Sequence, residues 1–268
     1  MVYDVLINKG VMITEQLLSK GSCLYLPEGP GPFPLICQTP LLGRLQFLED
    51  LFFEKRIAAY FARKGFACAI LHRPIFEYNP NADLTQLALH IETSIQNNQT
   101  TLEEILKNPK IDSTRIGTFG MSFGSIINSL WAARNSQLKA HVFALPGADI
   151  AEIFMTSQDP LMRSYQKDAV KYSGLKENEL LNKLKTIFKQ DPLHFAGEIS
   201  SGSCLIILAI FDRVVRFNLG LKFKKSLGNP KTLYLPLGHY TSILAIPFLR
   251  YAAAKFFTRK FSSVPCIS

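Results

Sequence analysis

The spacing of apolar positions changes several times along this chain, and each change predicts an element. Phe66-Ala67-Cys68-Ala69-Ile70-Leu71 is an unbroken apolar run, as expected of a parallel strand covered on both faces. Apolar runs at 34–38, 115–119, 140–144, 203–210 and 231–235 read as further strands. Between them the apolar period lengthens to that of a helix. Residues 47–64 place Leu48, Leu51, Phe52, Ala58 and Ala59 on one side, and Gly65 follows as a C-terminal cap. A long helical segment is expected over 84–107. Another follows at 125–133, where Ile126, Ile127, Leu130 and Trp131 recur at helical spacing. A final helix is expected near 247–261, with Pro247 tolerated in its first turn. Residues 5–26 alternate instead and close on Pro27-Glu28-Gly29-Pro30-Gly31-Pro32, predicting antiparallel edge strands and a turn.

Strands alternating with helices favour an α/β class with a mostly parallel central sheet flanked by helices. The stretch 146–202 is too long for one crossover helix and holds the amphipathic set Leu180, Leu181, Leu184, Ile187 and Phe188. It is expected to form a helical cap inserted into a single domain spanning 1–268. No internal repeat, low-complexity tract or linker interrupts the pattern.

Composition agrees with a globular chain: 268 residues, 47% hydrophobic and 19% charged, can bury one large core. The five cysteines include no C-x-x-C pair. Cys37, Cys68 and Cys204 fall in apolar runs and read as buried reduced thiols, which fits a reducing, cytoplasmic compartment. The N-terminus lacks the basic-then-apolar order of a signal peptide, and no apolar stretch approaches the ~18 residues of a membrane span.

Charge changes the picture more. The net charge is +9, yet residues 213–268 hold 10 Lys+Arg and no acid. That asymmetry points to an anionic surface as partner or to solvated basic faces on the last helices. Phe248, Leu249, Tyr251, Phe256, Phe257 and Phe261 share the terminal region with Arg250, Lys255, Arg259 and Lys260. The composition suits peripheral contact with an anionic membrane, although packing of the apolar side on the sheet is the favoured reading. Nucleic-acid binding has no motif beyond charge and is not expected.

The chemistry centres on Gly120-Met121-Ser122-Phe123-Gly124, set between a predicted strand and a predicted helix. Strand, G-x-S-x-G, helix is a nucleophile elbow, in which a sharp turn lifts a serine hydroxyl clear of the sheet edge. A serine needs a base within hydrogen-bond reach and a third group to orient that base. His239 lies just beyond the last strand, in Pro236-Leu237-Gly238-His239-Tyr240, and is the candidate base. His141 opens a strand, His90 lies mid-helix, and His72 precedes the serine at a strand end where it could line the pocket. Asp212 directly follows the strand near 204–211 and is the candidate acid, with an N-cap role as the alternative. Asp149 is the fallback acid, and Asp191, before Pro192, reads as a helix terminator.

These residues resemble the α/β-hydrolase fold serine hydrolases, nearest to the dienelactone-hydrolase-like and prolyl-oligopeptidase-like branches. The similarity extends over Leu24-Tyr25-Leu26-Pro27, Gly31-Pro32-Phe33-Pro34, Gly65-Phe66-Ala67, Asp112-x-x-Arg115-Ile116-Gly117, the elbow, Asp212-x-x-Val215, Gly238-His239-Tyr240 and Pro247. The resemblance implies Ser122, Asp212 and His239 as nucleophile, acid and base. It also implies an oxyanion hole of two backbone N–H groups. Phe123, after the nucleophile, supplies one. Where the family commonly has His-Gly, this chain reads Gln38-Thr39-Pro40-Leu41; proline has no N–H, so Leu41 is the candidate for the other. Serine in place of cysteine argues against true dienelactone hydrolase chemistry.

The expected activity is carboxylesterase-like hydrolysis of an apolar or medium-size acyl ester. Alternatives are a thioesterase or acyltransferase on the same triad, and a catalytically silent binding protein. Met121, His72, Phe76 and Phe154 are candidate pocket residues. No metal-ligand spacing, Walker loop or dinucleotide fingerprint occurs, so no cofactor or metal is expected, only a small-molecule acyl substrate.

Overall fold

A computed structural model describes residues 3–8, 11–41, 54–72 and 84–262. Among these, nine strands form one sheet. They are β1 (Tyr3–Asn8), β2 (Val11–Leu17), β3 (Cys23–Pro27), β4 (Phe33–Thr39), β5 (Ala67–Ile70), β6 (Ile111–Met121), β7 (Leu138–Ala144), β8 (Cys204–Ala209) and β9 (Lys231–Leu235). The helices are α1 (Lys55–Arg63), α2 (Thr85–Ile105), α3 (Phe123–Arg134), α4 (Ile150–Thr156), α5 (Pro160–Ser173), α6 (Glu177–Ile187), the single turn α7 (Pro192–Phe195), α8 (Phe217–Ser226) and α9 (Ile246–Ser262).

The strand order is β1-β2-β3-β5-β4-β6-β7-β8-β9. The alternating N-terminal segment pairs antiparallel, as its pattern predicts, and β3 joins it to the parallel part. From β5 to β9 every pairing is parallel. Strand order reverses at β4, which lies between β5 and β6. Such a switch point opens a crevice beyond the carboxyl ends of the strands, where α/β sheets bind ligands.

Side chains alternate to opposite faces along each strand, so the sheet divides the core in two. Leu35, Cys37, Phe143 and Ile206 face one cluster with α2, α3 and the inserted helices. Ile36, Val142, Ala144 and Ile207 face the other, with α1 and α9. That second layer is built around Phe61, Phe66, Phe119 and Phe257, whose rings meet edge to face at 5.6–6.5 Å. Gly65, at φ +85°, ends α1 in the left-handed conformation expected of a helix cap.

The terminal helix packs on the sheet. Leu249, Phe256, Phe257 and Phe261 are buried, and only Phe248 and Tyr251 of that aromatic set remain exposed. The start of the helix expected at 47–64 lies outside the described residues. Two segments differ from expectation. A 3₁₀ turn, Tyr240–Ala245, precedes α9. Asp191 does not terminate a helix but caps α7, accepting the Leu193 N–H at 2.9 Å. Its carboxylate also accepts from Asp149 N–H at 2.9 Å and Ile150 N–H at 2.5 Å, at the start of α4. An aspartate followed by proline at the first helical position initiates a helix, which is why the terminator reading fails.

Candidate active site

Ser122 stands between β6 and α3 with φ 51° and ψ −120°, a strained conformation for a residue with a side chain. The neighbouring glycines make that turn possible. A Cβ on Gly120 would lie 2.5 Å from the Gly124 carbonyl oxygen, and one on Gly124 would lie 2.5 Å from the Thr39 carbonyl oxygen. The turn is then pinned to β7, because Ser122 N–H donates to the Ala144 carbonyl at 2.8 Å. The buried Ser125 hydroxyl reaches the Gly120 and Ala144 carbonyls at 2.7 and 2.8 Å.

His239 and Asp212 meet beyond the ends of β9 and β8. His239 Nδ1 lies 2.7 Å from Asp212 Oδ2. Asp212 is 7% exposed, and its other oxygen accepts the Val214 and Val215 N–H groups at 2.8 and 2.9 Å. The aspartate therefore folds its own loop with Oδ1 and orients the histidine with Oδ2. It is not the N-cap of the following helix, a position held by Arg216. Asp149, the fallback acid, caps α4 and pairs with Lys222 at 2.9 Å.

Ser122 and His239 line one cavity of about 570 Å³ at the switch point. Met121, Phe123, Leu41 and Phe154 line it too, whereas His72 is not among its lining residues. Phe76 lies outside the described residues. The inserted helices supply Ile150, Ile153, Leu161 and Met162, so the walls are mainly apolar. Glu54 and Asp159 are the carboxylates at the cavity, and no lysine or arginine lines it among the described residues.

Two other histidines are unsuited to the role of base. His141 is buried, 3.1 Å from the Thr118 hydroxyl through Nδ1, and burial lowers its pKa to about 3. His90 packs against the Phe123 ring at 5.7 Å, and burial lowers its pKa to about 4. The Cys37 and Cys68 thiols are fully buried and pushed upward by desolvation, so neither is an available thiolate.

Phe123 occupies the first position of α3, where backbone N–H groups lack intrahelical acceptors. The Thr39-Pro40-Leu41 loop packs directly on Gly124. It is held by the Thr39 hydroxyl, which bonds Asn128 on α3 and accepts from Asn98 on α2 at 3.2 Å. Leu41 N–H, however, points at Glu54 Oε1, 3.3 Å away. The candidate second oxyanion donor is thus engaged by the side chain of Glu54, itself only 4% exposed.

Three contacts at the site escaped sequence reading. They are Glu54 to Leu41, Thr39 to the two asparagines, and the Tyr240 hydroxyl to Asp159 Oδ2. Each is a polar contact between separate segments of the chain, and such contacts leave no periodic trace.

No family model matches the chain. Esterase FrsA of Enterobacter sp. (strain 638) is 33% identical over 118 residues, covering 44% of this chain and 26% of that protein. The chain therefore spans about a quarter of the length of this curated relative. Among solved structures, an acetyl xylan esterase from Paenibacillus sp. R4 superposes with a TM-score of 0.69 at 15% identity, covering 97% of this chain and 88% of that one. The acylaminoacyl peptidase of Pyrococcus horikoshii gives 0.60 at 18% identity, covering 97% of this chain and 40% of that one. The chain has the α/β-hydrolase fold.

Proposed function

We propose that this α/β-hydrolase chain is a serine hydrolase that cleaves esters of apolar acyl groups through Ser122, His239 and Asp212. The observation that carries the reading is His239, held by Asp212 at 2.7 Å and lining the same cavity as the elbow serine. The esterase names of the relatives support the same class of reaction.

In the proposed reaction Ser122 Oγ attacks the carbonyl carbon while His239 Nε2 takes its proton, and Asp212 stabilises the resulting imidazolium. The Phe123 N–H holds the developing oxyanion. His239 then passes the proton to the leaving alcohol as the C–O bond breaks, leaving an acyl-serine. Water attacks that ester, giving its proton to His239, and Ser122 recovers a proton as the acid departs. The apolar walls, with no lysine or arginine lining them among the described residues, favour neutral acyl chains over carboxylate-bearing ones. A thioester or an acceptor alcohol would use the same groups, which makes thioesterase and acyltransferase the second reading. The buried free cysteines favour a reducing, cytoplasmic setting.

The test is labelling with a fluorophosphonate and hydrolysis of p-nitrophenyl esters of increasing chain length. Ser122 labels, and Ser122→Ala removes both signals. A folded protein that neither labels nor hydrolyses is instead a silent binding module on this fold.

A further inference from the structure

The run from Tyr240 to Tyr251 is apolar on two opposite sides. One side packs inward, with Ser242, Ile246 and Leu249 buried. The other carries Ile243, Leu244, Phe248 and Tyr251, all exposed, Leu244 to 76%. Positions 244, 248 and 251 follow the i, i+4, i+7 spacing of a single stripe as the 3₁₀ turn passes into α9. Phe211 is 65% exposed, and its backbone adjoins the start of this run. Its N–H donates to the Leu237 carbonyl at 3.0 Å, and its own carbonyl lies against Gly238, beside the histidine loop. Tyr240 and Ile243 are exposed and also line the cavity, so this surface is the rim of its mouth.

Scattered exposed apolar side chains are ordinary, but a connected patch bordered by charge marks a contact surface. The segment that carries most of the patch is basic, although the Asp159 carboxylate meets the Tyr240 hydroxyl at the rim. From residue 213 onward the chain has no acid, and Arg213, Arg216, Lys255 and Arg259 are exposed. A second copy docked on the same face would bring two such basic segments together, which like-charge repulsion opposes.

We propose that this rim is a docking surface for an anionic lipid bilayer, with Phe211, Leu244, Phe248 and Tyr251 entering the headgroup boundary while the basic side chains meet lipid phosphates. Docked in this way, the cavity mouth opens toward the acyl chains, and the substrate class becomes a lipid ester presented by the membrane. That last step rests on the serine-hydrolase reading; docking itself does not.

The experiment is co-sedimentation of the full chain with vesicles of phosphatidylcholine, with and without about one-third phosphatidylglycerol. The protein is expected to partition onto the anionic vesicles and to be released in part at ~0.5 M salt. Leu244→Glu with Phe248→Glu, and separately Phe211→Ser, should weaken partitioning at least tenfold. Turnover of a soluble short-chain ester should stay within twofold, since none of these side chains lines the cavity. Equal partitioning of the native chain and both variants overturns the proposal. So does concentration-dependent dimerisation that the same variants abolish, which assigns the patch to a second copy. Vesicle binding without ester hydrolysis supports docking and rejects the catalytic reading; hydrolysis without binding does the reverse.

Discussion

The Tyr240 hydroxyl donates a hydrogen bond to the Asp159 carboxylate, joining the loop that carries His239 to the N-cap of α5. Burial, followed by this bond and the charge of Asp159, raises the Tyr240 pKa above its ordinary value, so the phenol keeps its proton. Tyr240→Phe removes the tie without removing the ring. Both groups are partly solvated, so the stability loss should stay within about 1 kcal/mol. The larger effect is on the pocket wall: KM for long-chain esters should rise about three- to tenfold, with kcat for a short-chain ester within about twofold. Steady-state kinetics across chain lengths checks this.

Asp212→Asn separates orientation from charge. The Val214 and Val215 N–H groups hold one oxygen in place, so the amide oxygen stays there and the NH₂ group faces His239 Nδ1. Nδ1 must then accept, the proton moves to Nε2, and the ring cannot act as a base. A fall in kcat/KM of about 10³–10⁴ is expected, with little change in melting temperature.

Glu54→Gln addresses the oxyanion loop. The native carboxyl group accepts the Leu41 N–H, the candidate second oxyanion donor, and so competes for it. An amide keeps the shape and is a weaker acceptor than a carboxylate. An increase in kcat of about threefold or more for a short-chain ester is expected; a decrease would assign Glu54 a supporting role for the loop.

Gly124→Ala sets a Cβ against two backbone carbonyls, those of Thr39 at 2.5 Å and Pro40 at 2.9 Å. Neither can rotate away as a side chain would. Overpacking of this kind costs about 1–3 kcal/mol. Displacing the oxyanion loop should reduce kcat far more than stability, which urea unfolding alongside kinetics will show.

Acid should destabilise the fold through His141. Its folded pKa of about 3 lies below the ordinary value of 6.5. The unfolded chain therefore takes up a proton that the folded chain refuses. The stabilising contribution of neutral His141 is complete above pH 6.5 and declines as pH falls toward 3, at up to about 1.4 kcal/mol per pH unit. Urea unfolding from pH 7 to 4 should show this limb, to which buried His90 adds, and His141→Asn should make it shallower without abolishing it.

Much of the site was legible because its signals are local. Gly120 and Gly124 are required by backbone approaches within a few residues of the serine, and His239 and Asp212 each follow directly on a strand. The parallel sheet was legible from apolar runs such as 66–71. What escaped was set by tertiary placement. Glu54 reads as an ordinary charged residue of a helix, and only the fold brings it to Leu41. The aromatic residues of α9 look alike in sequence, yet Phe257 is core and Phe248 is surface, because the sheet covers just one side of that helix.

The Asp191 carboxylate, described above as a cap, accepts the Asp149 N–H across 42 residues of chain. It also binds the next amide, so both ends of the inserted helices are clasped at one point beside β7. The segment enclosed by that clasp is a cassette. Exchange of α4–α6 for a segment of another length is expected to leave the register of β7 on β8 unchanged, and with it the placement of Ser122, His239 and Asp212, while the cavity wall changes.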